Sequence, residues 1–278
     1  MQFSLTPFEE LRPGIWRAVA QPAGVNIGLI VGSTAALVVD TGSSPEQGAR
    51  IRAAAESVAG VPLIGAVVTH SHFDHYYGLA AFDDLPTYGH ESLAAALLAD
   101  GLTAEAAELG FTPDELRAPN RPLALARMVD LGGRHVEIVH FGRGHTAGDL
   151  VVIVPNAQVI FTGDLLEQSA PPAMGPDCFL KEWPTALDGI LGLVREDTVL
   201  VPGHGDPVDR VFAFTQRAEI SAVYGQVEYL IGRGVKAGDA LAAGDWPFDD
   251  DTIAGVLPIA YAQLAAEGKV PRTRLPLL

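Results

Sequence analysis

The sequence predicts an α/β fold built on a mixed β-sheet, and three observations carry that prediction. Short apolar runs of strand length alternate with helical stretches in the first half of the chain. A second group of strands is followed by a helix-rich C-terminal part. The conspicuous polar residues lie where apolar runs end, which is where α/β proteins place their sites. With 278 residues, 48% of them hydrophobic, the chain can bury the core of one large domain or two small ones.

Val25 to Ile30 and Ala35 to Val39 read as apolar strands joined by a turn at Gly32-Ser33-Thr34. After "VVDTG", Ser44 can cap a helix and Pro45 suits its first turn. The helical stripe that begins at Ile51 stops at Gly60. Leu63 to Thr69 is a short buried strand. Residues 91–117 are rich in alanine and leucine and predict two or three short helices broken at Gly101 and Gly110. Strands return at Leu125 to Val129, His135 to His140, Leu150 to Val154 and Gln158 to Phe161, the last two joined by a turn at Pro155-Asn156-Ala157. The proline-rich stretch from Leu166 to Pro184 is too long for a simple connector and reads as a binding loop. A helix at Thr185 to Val194 and a strand at Thr198 to Val201 follow, and from Val208 the pattern is helical, with a second helix over Asp249 to Ala266. The expected organisation is one domain over residues 1–207 with a helical extension, 208–278, packed on it.

There are 34 acidic and 18 basic residues, a net charge of −16. A nucleic-acid binder needs a basic footprint, and this chain has none; an anionic membrane surface would repel it as well. No run of about 18 apolar residues suggests a membrane span. The single cysteine, Cys178, allows no intrachain disulfide and no cysteine-rich metal site. "MQFSLTPFEELRPGIW" has no basic segment followed by an apolar one, so the expected location is cytoplasmic.

"VVTHSHFDHYYGL" packs His70, His72, Asp74 and His75 into six positions directly after an apolar run. On an extended backbone, residues two apart project to one side, so His70 and His72 share a direction. Asp74 and His75 follow where the loop turns into a helix, and the four side chains can aim into one cavity. Neutral imidazole and carboxylate are donors suited to Zn²⁺, and also to Fe or Mn. Downstream, His145 in "GRGHTAGD", Asp164 in "FTGDLL" and His204 in "VPGHGDP" each stand beside glycine near a strand end, as does Asp40 in "VVDTG". Glycine lets the backbone come close to a buried site.

These residues together resemble the metallo-β-lactamase superfamily of metallohydrolases. The family's H-x-H-x-D-H motif is matched by His70, His72, Asp74 and His75, and its later H, D and H by His145, Asp164 and His204; "VVDTG" matches its first motif. The resemblance covers roughly residues 20 to 206. It implies a four-layer αββα sandwich with extra C-terminal helices, in which residues 1–207 form the catalytic domain. It also implies a dinuclear metal site, most simply two Zn²⁺. By that likeness His70, His72 and His145 hold one ion, Asp74, His75 and His204 the second, and Asp164 bridges them. A hydroxide between the ions would be the nucleophile, because two cations lower the pKa of bound water and polarise the carbonyl under attack. Asp74 would orient that nucleophile and pass its proton to the leaving group. Asp40 would fix a ligand loop or an imidazole tautomer from behind.

The expected reaction is hydrolysis of an ester, thioester, lactone or amide bond, β-lactams included, in a small molecule. A bridging aspartate at position 164 is similar to glyoxalase-II-type thioesterases and lactonases, whereas the commonest class B β-lactamases have cysteine there. Yet "GRGHTAGDLVVIVPNAQVIFTGDLL" is similar to a β-lactamase stretch. The seven basic residues from Arg210 to Arg274 do not match the glutathione-binding pattern of glyoxalase II. The alternative is an iron-dependent redox member of the superfamily, of the persulfide dioxygenase kind.

Other residues receive plainer readings. His90, His135 and His140 match no ligand position, Asp149 and Asp206 read as turn residues, and Cys178 as a spectator. Tyr76, Tyr77, Met174, Phe179, Trp183 and Trp246 are candidates to line an apolar substrate pocket, Tyr76 and Tyr77 foremost because they abut the motif.

Overall fold

The computed structural model describes residues 3–98 and 102–271. Gly101, Arg272 and Arg274 lie outside the described residues.

Three strands precede the first one expected: β1 (Ser4–Leu5), β2 (Glu9–Arg12) and β3 (Ile15–Gln21). They lead into β4 (Val25–Val31) and β5 (Ala36–Val39). Helix α1 (Pro45–Ala59) starts where expected, with Ser44 accepting from the Gln47 amide, and ends at Gly60 in the left-handed region, φ 65°. Then come β6 (Leu63–Val67), the one-turn α2 (Phe73–Tyr76), β7 (Thr87–His90), α3 (Leu93–Ala96) and α4 (Leu102–Leu109). The second half holds β8 (Arg121–Leu123), β9 (Ala126–Asp130), β10 (His135–Val139), β11 (Val151–Val154) and β12 (Val159–Glu167). Helix α5 (Trp183–Leu191) and β13 (Val199–His204) follow, then α6 (Arg210–Gly232), α7 (Ala237–Ala243) and α8 (Asp250–Ala266).

The strands form two halves. In the first, β1 and β2 pair with β3, and the order continues β3-β4-β5-β6-β7-β8, parallel from β5 to β8. In the second the order is β13-β12-β11-β10-β9, antiparallel except for β12–β13. The halves meet at a single strand pair, Val25 with His204. Asn26 reinforces that seam, donating from Nδ2 to the Pro202 and Gly205 carbonyls, both at 2.8 Å.

Strand alternation sorts the side chains into layers. On β5, Leu37 and Val39 join Val152, Val154 and Phe161 of the other half in one apolar cluster between the sheets. Ala36 and Val38 face the other way, onto Ile51 and Ala55 of α1. On β11, Val151 and Ile153 face a cluster that holds Leu187 of α5, Val223 and Val227 of α6 and Leu257 of α8. Helices, sheet, sheet and helices give the four-layer αββα sandwich with C-terminal helices. Gly28 shows how close the sheets come: a Cβ there would stand 2.6 Å from the Phe161 ring.

Among the boundaries that depart from expectation, two shape the site. The strand expected to end at Phe161 runs to Glu167, because the ladder breaks register at Gly163 (φ 51°) and then resumes. Asp164 is therefore inside a bulged strand. The helix expected from Thr185 begins at Trp183, so the proline-rich loop runs only from Gln168 to Glu182.

Candidate metal centre

The expected site residues come from five places. His70 and His72 follow β6, with His72 the residue before α2 and Asp74 and His75 on its single turn. His145 lies in the turn after β10, Asp164 in β12, and His204 ends β13. All seven converge. One ligand atom each from His70, His72, His145 and Asp164 lies within 4.8 Å of the others, and Asp74, His75 and His204 form a second such group. Asp164 faces both groups: its Oδ2 is 3.7 Å from His70 Nε2 and 3.4 Å from His145 Nε2, and its Oδ1 is 3.1 Å from His75 Nε2. His204 Nε2 is 3.2 Å from Asp74 Oδ2.

Three of the five imidazoles are turned inward by a partner behind them. Asp40 Oδ2 accepts from His75 Nδ1 at 2.8 Å, the Ala173 carbonyl accepts from His145 Nδ1 at 3.1 Å, and Asp177 Oδ2 accepts from His72 Nε2 at 2.9 Å. His72 therefore presents Nδ1 to the cluster, 2.8 Å from His145 Nε2. Asp40 is buried, with a left-handed backbone (φ 62°) unusual for a residue other than glycine. Its carboxylate also takes the Thr69 amide at 2.7 Å and the Thr69 hydroxyl at 2.9 Å, which pins the strand end that carries His70.

The electrostatics are those of a cation site. Burial pushes His70 well below its ordinary pKa and His145 down to about 4, so both are neutral donors. Burial works the same way on His75 and His204, but carboxylates win. Asp164, Asp74 and Asp40 raise His75 well above its ordinary value, and Asp164 and Asp74 raise His204 to about 10. Against the desolvation of burial, His75 above all lowers Asp74, and it and His70 hold Asp164 far below the usual carboxylate range. His70 Nε2 and Asp164 Oδ1 are buried and make no hydrogen bond. Buried polar atoms left this way are costly, and a coordinated cation would satisfy both. Imidazole and carboxylate donors fit zinc, iron or manganese. Gly203 makes room: a Cβ there would overlap Asp164 Oδ1.

The pocket candidates fare differently. Tyr76 and Trp183 are 1% and 0% exposed and belong to apolar cores, and Tyr77 and Met174 are buried as well. All four pack within apolar clusters, Trp183 and Met174 in one and Tyr76 and Tyr77 in another. Tyr77 faces Phe111, and Trp183 packs edge-on to His145 while donating from Nε1 to the Leu165 carbonyl. Trp246, half-buried, packs against the same cluster as Trp183. Phe179 does line a cleft of about 340 Å³ with Asp177, under the Arg143 guanidinium at 4.2 Å. Cys178 is buried and its thiol is pushed up to about 12 by burial, as befits a spectator. His90 stacks on His140 at 4.4 Å, away from both groups, and Asp149 caps its own turn by accepting from the Thr146 amide.

Sequence reasoning passed over Thr69, Asp177 and Glu167. Only Glu167 carried a signal, a lone carboxylate closing the apolar run "GDLLE".

An αββα sandwich whose strand ends gather two histidine–aspartate groups defines a class of metal-binding α/β proteins. Residues 20–204 match the family model of the metallo-beta-lactamase superfamily, and the chain belongs to that superfamily. A metallo-beta-lactamase type 2 of Bacillus sp. (strain 170) is 27% identical over 146 residues, 52% of each chain. The acyl-coenzyme A thioesterase MBLAC2 of Bos taurus is 29% identical over 203 residues, 64% of this chain and 72% of that one. The chain spans about half the length of the curated β-lactamases it matches first. Among solved structures, a metallo-beta-lactamase from Pontibacter korlensis superposes with a TM-score of 0.62 at 22% identity, over 79% of this chain and 99% of that one.

Proposed function

We propose that the chain is a dinuclear metallohydrolase, with zinc in both positions, that cleaves an ester, thioester, lactone or amide bond in a small molecule. The observation that carries this reading is the pair of donor groups with Asp164 between them, its Oδ2 3.4 Å from His145 Nε2 and its Oδ1 3.1 Å from His75 Nε2. His70, His72 and His145 would hold one ion, Asp74, His75 and His204 the other, and Asp164 both. Two bound cations would supply a nucleophile from water near neutral pH and polarise a carbonyl oxygen. Asp74 turns Oδ2 toward His204 and His75, and its carboxylate would take the proton that the attacking water loses and pass it to the leaving group. Asp40, Asp177 and the Ala173 carbonyl hold three imidazoles in the tautomers the site needs. The similar β-lactamase and acyl-coenzyme A thioesterase both act at an acyl carbon, which favours acyl substrates here. A charge of −16 disfavours polyanions. The lone buried cysteine fits a reducing compartment, and the cytoplasm is the proposed location.

Elemental analysis of protein purified without added metal or chelator tests the reading. About two zinc ions per chain, with turnover in a panel of lactones, thioesters and β-lactams, is expected. One iron per chain, with oxygen consumed in the presence of persulfides, would replace the hydrolase by the redox alternative. His72→Ala should lose at least one ion and roughly 10³-fold in kcat/KM, the worth of several kcal/mol of charge stabilisation. Full activity in that variant refutes the assignment.

A further inference from the structure

Glu167 has no part in the site described so far, yet it lies against it. It is 7% exposed, an uncommon place for a glutamate without a metal or a cationic partner. It sits three residues after Asp164 on β12, and its Cα partner across the ladder is His204. One ligand atom each from Glu167, Asp164 and His204 lies within 4.8 Å of the others. The hydrogen bonds to its carboxylate come from one residue and reach one oxygen: Ser169 donates from its amide at 3.0 Å and its hydroxyl at 2.7 Å, both to Oε1. The Glu167 backbone is also fixed, its amide donating to the buried Gln216 Oε1 at 3.0 Å. The carboxylate is thus held in place with Oε2 uncommitted. Asp164, whose Oδ2 is 3.6 Å from His204 Nε2, belongs to the same group.

We infer that Glu167 is an additional ligand of the second metal ion, which rests on the dinuclear reading above. The donor sets of the two positions are then unlike. The first has three imidazoles and one carboxylate. The second has two imidazoles, His75 and His204, and three carboxylates, Asp74, Asp164 and Glu167. Oxygen donors favour harder cations and higher coordination numbers than a tetrahedral, nitrogen-rich zinc site does. The second position therefore accepts manganese or ferrous iron more readily than the first.

Titration of chelator-stripped protein with Co²⁺, followed by visible absorption and by competition with a chromophoric chelator, tests this without reference to turnover. Wild type should bind two equivalents. Glu167→Gln keeps the shape and the oxygen that Ser169 engages, and should weaken the second equivalent by at least 10-fold while leaving the first unchanged. Glu167→Asp should recover part of the loss. Wild-type affinity for both equivalents in Glu167→Gln would overturn the inference. Loss of both together would also overturn it, because the residue would then serve the fold rather than one ion. If the wild-type protein takes up only one equivalent, the dinuclear reading itself fails and the inference with it.

Discussion

At the scale of single residues, the centre depends on what is missing as much as on what is present. Position 203 has no side chain, and the carboxylate of Asp164 fills the space. Gly203→Ala must displace Asp164 or the β13 backbone. We expect the purified variant to carry less than half the wild-type metal and to lose at least 10-fold in kcat/KM; wild-type metal content would show that the neighbouring backbone yields freely. The seven residues that gather here were legible in the sequence because each type is chemically distinctive and the motif groups four of them locally. Thr69 and Asp177 were not, and Glu167 only as a lone carboxylate at the end of an apolar run. Asp177 meets His72 across 105 positions of sequence, and nothing in a proline-rich loop announces which carboxylate will point inward. The aromatic residues misled for the opposite reason: nearness to the motif in sequence put Tyr76 beside the site, but a one-turn helix sent its ring into the core.

At the scale of elements, apolar runs and caps located most strands and helices to within a few residues. Five strands were missed, β1 to β3, β7 and β8, because their patterns are weak: β2 is almost wholly exposed, β3 alternates only in part, and β7 and β8 are four and three residues long. The true length of β12 was hidden by Gly163, which reads as a turn and is a bulge. That bulge is braced from outside by α6. Gln216 accepts the Glu167 amide and donates from Nε2 to the Leu165 carbonyl at 2.9 Å, straddling the segment that follows Asp164. Gln216→Ala removes both bonds in a buried setting and should cost about 1–3 kcal/mol of stability. Chemical denaturation of wild type and variant in chelator measures it. A change below 0.5 kcal/mol, well under the general range for a lost buried hydrogen bond, would mean that water takes over the bonds. The C-terminal helices thus do more than cover a sheet face, and this was not legible beforehand because a buried glutamine looks like any other polar residue on a helix.

At the scale of the whole molecule, the metal-free centre is a store of protons. His75 and His204 carry them at neutral pH because Asp164 and Asp74 face them, and a metal ion must displace them before those nitrogens can coordinate. The sign follows directly. His204 is held near 10, so from pH 6 to 8 it is protonated without metal and deprotonated with it. Affinity for an ion held by His75 and His204 should therefore rise with pH, roughly 10-fold per unit for each proton displaced. Chelator competition at pH 6, 7 and 8 should show that slope, with proton release detectable in weakly buffered solution. Affinity that does not change over this range would mean that the imidazoles are already neutral.

The single strand pair between Val25 and His204 joins the first sheet to the last strand of the second. Its consequence belongs to the life of the nascent chain. Donors at 70–75 leave the ribosome long before His204, and β13 cannot reach β4 until both sheets have been synthesised. Domains fold as units once their sequence is complete. The group of Asp74, His75 and His204 is therefore complete only once β13 has been made and has docked on β4, so any ion that needs all three must wait for that step.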